Sequence, residues 1–372
     1  MQIPKWPVAM QTDLRPIREV LESNQWGGFH EFVGRFEEQF AAFQHCRFGV
    51  SCANGTLALE LALSVAGLGP GDEVIVPAIS FIATATAVSR VGATPVFVDI
   101  EPYTFNIDPV RAAAAVSPRT KAIIPVHFGG PPADMDSLMA LASGRSILLI
   151  EDAAHAHGSE WNGRRAGSFG LCSTFSFQNS KVMTCGEGGI LLTNDQDLAD
   201  RARSFANQGR ASGAGWFHHF TLGSNFRLTA LQAAVLLPQL ERLPRQIELR
   251  RKNEEIIRAE LASLEGITLQ QIPPRVNARS HYLLLGRIDP SRFGRTRDEF
   301  HQALTSQGVP CTPFYPHTLY GNPLYRKGGC RVEPCPVAEA CVRDAFWLPH
   351  RVLMAEEPTI LEIVRLIRGL RR

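Results

Sequence analysis

The chain has 372 residues, of which 38 are Lys or Arg and 36 are Asp or Glu. Hydrophobic residues make up 45% and charged residues 20% of the sequence, a balance that excludes an intrinsically disordered chain and predicts two domains, or one large core with a smaller appendage. A formal net charge of +2 gives no field that would select nucleic acid or an anionic membrane surface.

The sequence shows no membrane or metal signal. The N-terminus carries no apolar run of signal-peptide length, and the longest uncharged stretch in the first half, Val74 to Ser89, has 16 residues. A membrane-spanning helix needs about 20 predominantly apolar residues, so we expect this stretch to lie in a core. Eight cysteines are too few for a disulfide scaffold, and the closest pair, Cys330 and Cys335, lacks the His cluster of a zinc site. We expect a cytoplasmic protein without a metal ion.

Residues 45–200 alternate between two kinds of segment. Apolar runs of strand length occur at 73–77, 94–100, 121–128, 146–152 and 188–194. Helix-like segments occur at 56–67, 81–92, 133–144 and 197–209. Runs rich in β-branched residues that alternate with helices predict a mostly parallel sheet covered on both faces. Ligands of such sheets bind where the carboxyl ends of the strands meet helix N-termini.

The composition changes after about residue 240, where a long, charged, amphipathic helix begins. We expect this helix to be broken or started near Pro244, because proline removes a helical hydrogen bond. Beyond it, a strand at 281–288, a helix near 296–308 and a closing helix near 357–371 predict a smaller α+β domain. The predicted domains are therefore residues 1–243 and residues 244–372.

Three segments of the first domain carry groups suited to chemistry. The first, Cys52–Thr56, is a turn of small residues directly before an apolar helix. Such a turn presents backbone N–H groups and the positive end of the helix dipole to a phosphate. Asn-Gly followed by Thr is also an ordinary turn with an N-terminal cap, and on its own this simpler interpretation is favoured.

The second segment, Glu151–His155, ends an apolar strand. A carboxylate at this place lies at the mouth of the sheet, where it can pair with a cationic ring nitrogen. Alternatively, Asp152 caps the next helix and His155 is a turn residue with its own partners. Taken alone, the two interpretations carry equal weight.

The third segment, Ser173–Lys181, is followed by the Gly-rich turn Thr184–Gly189. A single lysine among aromatic, amide and hydroxyl residues is an unusual place for a solvated charge. If its surroundings lower its pKa, such a lysine becomes an amine that attacks carbonyl groups. A surface lysine before a turn is the alternative, and the two upstream segments weigh against it.

These three segments, in this order, resemble the DegT/DnrJ/StrS family of pyridoxal-phosphate (PLP) sugar aminotransferases. The resemblance is dense over about residues 10–245 and looser beyond. It continues through Pro77–Phe81, Phe97–Ile100, Pro125–His127, Asp134–Asp136 and Gly223–Leu228. It implies the aspartate aminotransferase-like fold of fold type I PLP enzymes, an α/β fold with a large, mostly parallel domain and a smaller C-terminal α+β domain. It also implies a homodimer with shared active sites.

The resemblance implies roles for two catalytic residues. Lys181 stands where the family lysine forms a Schiff base with PLP. Asp152 stands where a carboxylate keeps the pyridine nitrogen protonated, so that the ring accepts electrons. The freed Lys181 amine would then move a proton between the substrate and the cofactor, which alternates between pyridoxal 5'-phosphate and pyridoxamine 5'-phosphate.

Further positions match residues that bind the cofactor in the family. Phe81 matches the aromatic residue that stacks on the ring, and Gly55 and Thr56 match the phosphate-binding turn. Ser176 matches a hydroxyl that contacts the phosphate, and Asn225 matches an amide that reaches the phosphate from the neighbouring subunit. Many members have Gln where this chain has His155, near the ring hydroxyl, so we expect a titratable group there.

The implied reaction is a ping-pong transfer of an amino group from L-glutamate or L-glutamine to a keto sugar, with a nucleotide-linked one favoured. A keto cyclitol such as scyllo-inosose is the alternative acceptor. A PLP-dependent sugar dehydratase is a weaker alternative, because related dehydratases carry His at the position of Lys181. A regulatory protein on the same fold is disfavoured, since no DNA-binding module or basic face is visible. Residues expected around the acceptor are Trp26, His30, Tyr315, His317 and Tyr320.

Overall fold

A computed structural model describes all 372 residues. The strands are β1 Phe48–Cys52, β2 Glu73–Pro77, β3 Thr94–Val98, β4 Thr120–Ile123, β5 Leu148–Asp152, β6 Glu160–Trp161, β7 Arg164–Arg165, β8 Cys172–Ser176, β9 Gly189–Thr193, β10 Ile267–Leu269, β11 Val276–Ala278, β12 Leu283–Ile288, β13 Thr312–Pro313, β14 Arg331–Val332 and β15 Ala345–Pro349.

The helices are α1 Leu14–Ser23, α2 Glu31–Phe43, α3 Gly55–Val65, α4 Ala83–Arg90, α5 Pro109–Ala114, α6 Met135–Ser143, α7 Gln196–Ala206, α8 Ala230–Leu261, α9 Pro290–Phe293, α10 Arg297–Ser306, α11 Pro336–Asp344 and α12 Glu357–Gly369. Short 3-10 turns lie at Gln11–Asp13, Tyr325–Lys327 and Val352–Met354. None of the helices combines the length and the apolar character that a membrane span requires.

An eight-stranded sheet forms the centre of the large domain, in the order β1-β9-β8-β5-β4-β2-β3-β14. All neighbours from β8 to β14 pair parallel, whereas β9 runs antiparallel to both β1 and β8. Strands β2, β8 and β9 are buried along their whole length, because helices cover both faces of the sheet. The predicted mostly parallel α/β sheet is confirmed.

A four-stranded sheet, in the order β10-β12-β15-β13, forms the centre of the C-terminal part. Its apolar core includes Phe293 and Phe300 together with Ile360, Ile363 and Ile367 of α12. The predicted closing helix at 357–371 is observed as α12. A third, small sheet joins β11 to β6 and β7.

Helix α8 corrects one expectation. It runs without a break for 32 residues with Pro238 and Pro244 inside it, so it is neither broken nor started near Pro244. Each proline lacks the N–H that would bond to the carbonyl four residues earlier, and burial of the residues on the inner face of the helix, such as Leu236, Leu240 and Leu243, offsets this loss. The boundary predicted between residues 243 and 244 falls inside this helix, and it stays a prediction.

Candidate active site

A cavity of about 450 Å³ lies at the carboxyl ends of β5 and β8, beside the N-terminus of α3. Parallel strands end at the same edge of a sheet, so side chains that follow different strands meet there. Among the 20 residues that line the cavity are seven of the predicted site residues: Gly55, Thr56, Phe81, Asp152, His155, Ser176 and Lys181.

One end of the cavity is formed by the first turn of α3. The side chain of Asn54 caps the helix by accepting a hydrogen bond from the Leu57 amide at 2.9 Å. The amides of Gly55 and Thr56 have no acceptor within the chain, and the helix dipole places partial positive charge beside them. The capping and anion-binding interpretations of this turn are therefore compatible, because different amides serve them.

Gly55 is required by a close approach of two elements. A Cβ atom at this position would lie 2.8 Å from Cβ of Ser176 at the end of β8. The absence of a side chain brings the Gly55 amide and the Ser176 hydroxyl to the same end of the cavity. Both are donors suited to an anion.

Asp152 is the last residue of β5 and is buried beside the cavity. One carboxylate oxygen, Oδ2, accepts a hydrogen bond from the Thr84 hydroxyl at 2.7 Å, and Oδ1 accepts one from the Ala154 amide at 3.2 Å. Burial raises the pKa of the Asp152 carboxyl, and the Thr84 hydrogen bond opposes this rise. A buried carboxylate with two neutral donors is stabilised further by a cation placed next to it.

Glu151 has a different environment, because successive strand residues point to opposite faces of the sheet. Its carboxylate accepts hydrogen bonds from the amides of Gly167, Phe169 and Gly170, at 2.6, 2.7 and 2.9 Å. His127 lies 3.0 Å away, and both side chains are fully buried. Glu151 therefore has its partners within the protein and serves the fold.

The environment of His155 corrects a second expectation. Its Nδ1 accepts a hydrogen bond from the Gly129 amide at 3.3 Å, which leaves the proton of the neutral ring on Nε2. Burial, followed by the nearby Lys181 charge, lowers the pKa of His155 well below 6.5. The ring is therefore a neutral hydrogen-bond donor to the cavity and does not titrate near pH 7.

Lys181 is half-buried and follows β8 by five residues. Its backbone amide bonds to the Gln178 carbonyl at 2.9 Å, so a tight turn carries the side chain back to the cavity. Its Nζ lies 4.7 Å from the centroid of the Tyr282 ring. Lys181 forms no ion pair, so its amine is available to a ligand of the cavity.

Several residues that line the cavity or contact its lining were not anticipated from the sequence. Thr84 and Ser80 bond to each other at 2.7 Å and connect α4 to Asp152. Tyr282 precedes β12 and reaches Ser180 from the C-terminal part of the chain. Such contacts join residues 68 and 102 positions apart, and no local pattern marks them. In the sequence, several hydroxyl residues lie close to Phe81, and this pattern is the signal that could have indicated a role for Thr84.

Other predicted residues do not line the cavity of their own chain. Asn225 is exposed, and its backbone bridges to Asn207. Of the five residues expected around the acceptor, Tyr315 lines the cavity and the other four do not. His30 caps α2, and the Tyr320 hydroxyl bonds to Glu339 at 2.8 Å, so these two side chains have structural partners.

Comparison with known proteins shows the family to which this chain belongs. The sequence profile of the DegT/DnrJ/EryC1/StrS aminotransferase family matches residues 8–367. 3-Amino-5-hydroxybenzoate synthase from Amycolatopsis mediterranei is 38% identical over 371 residues, covering 96% of this chain and 95% of that protein. GDP-perosamine synthase from Caulobacter vibrioides is 38% identical over 349 residues, covering 91% and 90%. L-Glutamine:2-deoxy-scyllo-inosose aminotransferase from Streptoalloteichus tenebrarius is 36% identical over 392 residues, covering 97% and 92%.

The fold agrees with this relationship. The crystal structure of 3-amino-5-hydroxybenzoic acid synthase superposes with a TM-score of 0.94 at 37% identity, covering 99% of this chain and 98% of that one. The expected family and the expected fold type I architecture are both confirmed. The chain therefore belongs to the DegT/DnrJ/EryC1/StrS aminotransferase family, a family of PLP-dependent transaminases.

Proposed function

We propose that this chain binds PLP in the cavity and transfers an amino group from L-glutamate or L-glutamine to a six-membered cyclic ketone, a keto sugar or a keto cyclitol. One observation carries the proposal. The unpaired amine of Lys181 and the buried carboxylate of Asp152 line the same cavity as the free amides at the start of α3. An amine, an anion and a phosphate-binding turn are the groups that this cofactor requires.

The residues of the cavity fit PLP group by group. The amides of Gly55 and Thr56 and the hydroxyl of Ser176 would hold the phosphate. Asp152 would pair with the ring nitrogen. Within the protein, its buried carboxylate accepts hydrogen bonds from neutral donors only. The neutral His155 would donate from Nε2 to the ring hydroxyl, and the exposed ring of Phe81 would cover one face.

Bound PLP supplies an electron sink for the carbon next to the amino group. The protein supplies the proton transfers. In our proposal, Lys181 Nζ takes the proton from the α-carbon of the donor and returns it to the carbon on the other side of the amino nitrogen, a 1,3-shift. General acid–base catalysis of this kind contributes roughly 10²–10⁴ in rate. Asp152, held by Thr84 and the Ala154 amide, keeps a negative charge in the same cavity.

Two classes of acceptor are compatible with the relatives named above. GDP-perosamine synthase is named for a nucleotide-linked sugar, and 2-deoxy-scyllo-inosose aminotransferase for a free cyclitol. Retention of Lys181 supports amination over dehydration, because the lysine amine is the group that transfers the proton.

A panel of acceptors tests this function. Purified enzyme with glutamate or glutamine would be offered nucleotide-linked keto sugars and free keto cyclitols, and the release of the 2-oxo acid would be measured. We expect turnover with at least one cyclic ketone and none without an acceptor. Holoenzyme that is inactive with both classes would contradict the proposal.

We also propose a homodimer with shared active sites. Asn225 is exposed beside a patch of exposed apolar residues in which Phe217 is 85% and Leu222 is 95% accessible. Phe29 packs against Trp216 with ring centroids 5.7 Å apart, and Arg227 lies over Phe29, which joins the patch to Asn225. A patch of this kind is typical of a protein interface, and a second copy would bring Asn225 to its phosphate site. The eight free cysteines are consistent with the cytoplasmic location that we propose.

A further inference from the structure

The Lys181 amine lies over an aromatic ring that belongs to the C-terminal part of the chain. Its Nζ lies 4.7 Å from the centroid of Tyr282, within the range of a cation–π contact. No carboxylate lies within ion-pair distance of this amine. The ring face of Tyr282 is therefore in a position to stabilise a positive charge on Lys181.

Tyr282 is held in place on several sides. Its hydroxyl lies 3.0 Å from Ser180 Oγ, which in turn donates to Gln178 Oε1 at 2.7 Å. Its ring stacks on His350 at 5.9 Å with an interplanar angle of 26°, and it contacts the His155 ring at 4.4 Å. Tyr282 is 8% exposed, so its orientation is fixed by packing as well as by hydrogen bonds.

The N-terminal segment completes this support. The His350 amide donates to the Tyr282 carbonyl at 2.9 Å, and His350 Nε2 contacts the Ser180 carbonyl at 3.1 Å. The Trp6 ring packs edge-on against His350, with centroids 4.5 Å apart. A column of side chains thus runs from Trp6 through His350 and Tyr282 to the amine of Lys181.

We propose that Tyr282 is a positioning residue, whose ring face holds the Lys181 amine whenever that amine is not bonded to the cofactor. This inference rests on the proposed function. As the C–H bond of the donor carbon breaks and an N–H bond forms at Nζ, the electron pair stays on the carbon side and Lys181 becomes an ammonium. The Tyr282 ring stabilises that ammonium and keeps the proton within reach of the carbon that receives it.

The test uses variants that separate the ring from the hydroxyl. Tyr282→Phe keeps the ring and loses the Ser180 contact, whereas Tyr282→Leu and Tyr282→Met lose the ring. Tyr325→Leu is the matched control, because Tyr325 is 5% exposed and its hydroxyl also lies 3.0 Å from a serine, Ser89, away from the cavity. Unfolding temperatures would show which variants fold.

Two measurements follow for each variant. The first is the rate of reductive methylation of Lys181 in protein freed of its cofactor, located by mass spectrometry. We expect an increase of about five- to tenfold in the Leu and Met variants, the factor that corresponds to a lost cation–π contact. The second is the deuterium isotope effect on kcat with α-deuterated donor, which should rise in the same variants because proton transfer becomes slower. Tyr282→Phe and Tyr325→Leu should resemble the wild type in both.

Equal methylation of Lys181 in all variants would overturn the inference, and so would a Phe variant that behaves like the Leu variant, because the hydroxyl would then be responsible. The methylation rate is measured without cofactor or acceptor. If the wild type aminated no ketone, the proposed function would fail, while the methylation result would still decide whether Tyr282 holds Lys181.

Discussion

At the scale of single residues, Asp152 illustrates how environment separates two adjacent carboxylates. The Glu151 carboxylate accepts hydrogen bonds from three backbone amides and lies next to His127. The Asp152 carboxylate faces the cavity and accepts hydrogen bonds from one hydroxyl and one amide. The sequence places both at the end of one strand, and the alternation of the strand sends only one of them to the cavity.

We predict that Asp152→Asn slows proton transfer by orders of magnitude while PLP still binds. The amide has nearly the same shape as the carboxylate but lacks the charge that keeps the pyridine nitrogen protonated. Absorbance would report binding, and single-turnover kinetics with glutamate would report proton transfer. Turnover near that of the wild type in Asp152→Asn would reject the role of this carboxylate.

The buried histidine His157 allows us to predict how the free energy of unfolding depends on pH. Burial lowers the pKa of His157 from 6.5 to about 3. Below pH 6.5 the unfolded chain therefore binds a proton that the folded protein does not, so stability falls as the pH falls from 6.5 towards 3. For a single group, this loss approaches about 1.4 kcal/mol per pH unit.

The measurement is the free energy of unfolding between pH 5 and 8 for the wild type and for His157→Phe. The variant should show a shallower decline below pH 6.5, by up to about 1.4 kcal/mol per unit. His218→Asn, at an exposed position, is the control and should keep the slope of the wild type. Equal slopes in the wild type and His157→Phe would contradict the prediction.

From the sequence, a shared location could be predicted best for residues in short local motifs. Lys181, Asp152 and Gly55 lie in compact motifs next to strand or helix ends, and the structure brings them to one cavity. Thr84 and Tyr282 were missed, because each reaches its partner across a long sequence separation. The electrostatic state of His155 could not be predicted either, since it depends on burial and on the Gly129 amide.

At the scale of elements, patterns of apolar residues predicted most of the central sheet. Strand β2 was predicted at its observed bounds, 73–77, because it is apolar along its length and buried on both faces. Strand β8, with the sequence CSTFS, was not predicted as a strand, because its polar residues are buried through contacts that are not local. The prolines of α8 led to a wrong prediction of a helix break or start, because tertiary packing outweighed the local preference of proline against a helix interior.

The first turn of α3 gives a prediction about cofactor affinity. Gly55→Ala would place a Cβ atom 2.8 Å from Cβ of Ser176, so the turn and the end of β8 must separate. We expect PLP affinity to fall by about tenfold or more, because one lost hydrogen bond to a charged group costs about 1.5–3 kcal/mol. Fluorescence titration of cofactor-free protein would measure it.

The control for this variant is Gly34→Ala in α2, where an added Cβ atom meets nothing within 4 Å. Alanine is the better helix former, so this change should leave PLP affinity unchanged and stability unchanged or slightly raised. If Gly55→Ala and Gly34→Ala bind PLP equally well, the turn is not the phosphate site.

At the scale of the whole molecule, the proposed dimer can be tested by subunit mixing. Lys181→Ala and Asn225→Ala chains would be unfolded together in equal amounts and reassembled. If Asn225 of the partner subunit completes each site, half of the dimers are mixed, and each of these has one site with both native residues. Activity should then recover to about a quarter of that of the wild type.

This result requires both single variants to be nearly inactive, which is measured first. Wild-type chains treated in the same way are the control for recovery on refolding. If mixed dimers are confirmed by mass spectrometry and no activity returns, Asn225 acts within its own chain and the sites are not shared.

Lys181 is the residue on which every other assignment in this cavity depends. Its amine is the one that reaches the cavity from β8, and it lies beside Asp152 and the turn of α3. The most direct measurement is borohydride reduction of the PLP-bound enzyme, followed by peptide mass spectrometry. We predict that the reduced cofactor is attached to Lys181 and that Lys181→Ala abolishes steady-state turnover. A reduced cofactor attached to any other lysine would contradict the assignment of this cavity as the active site.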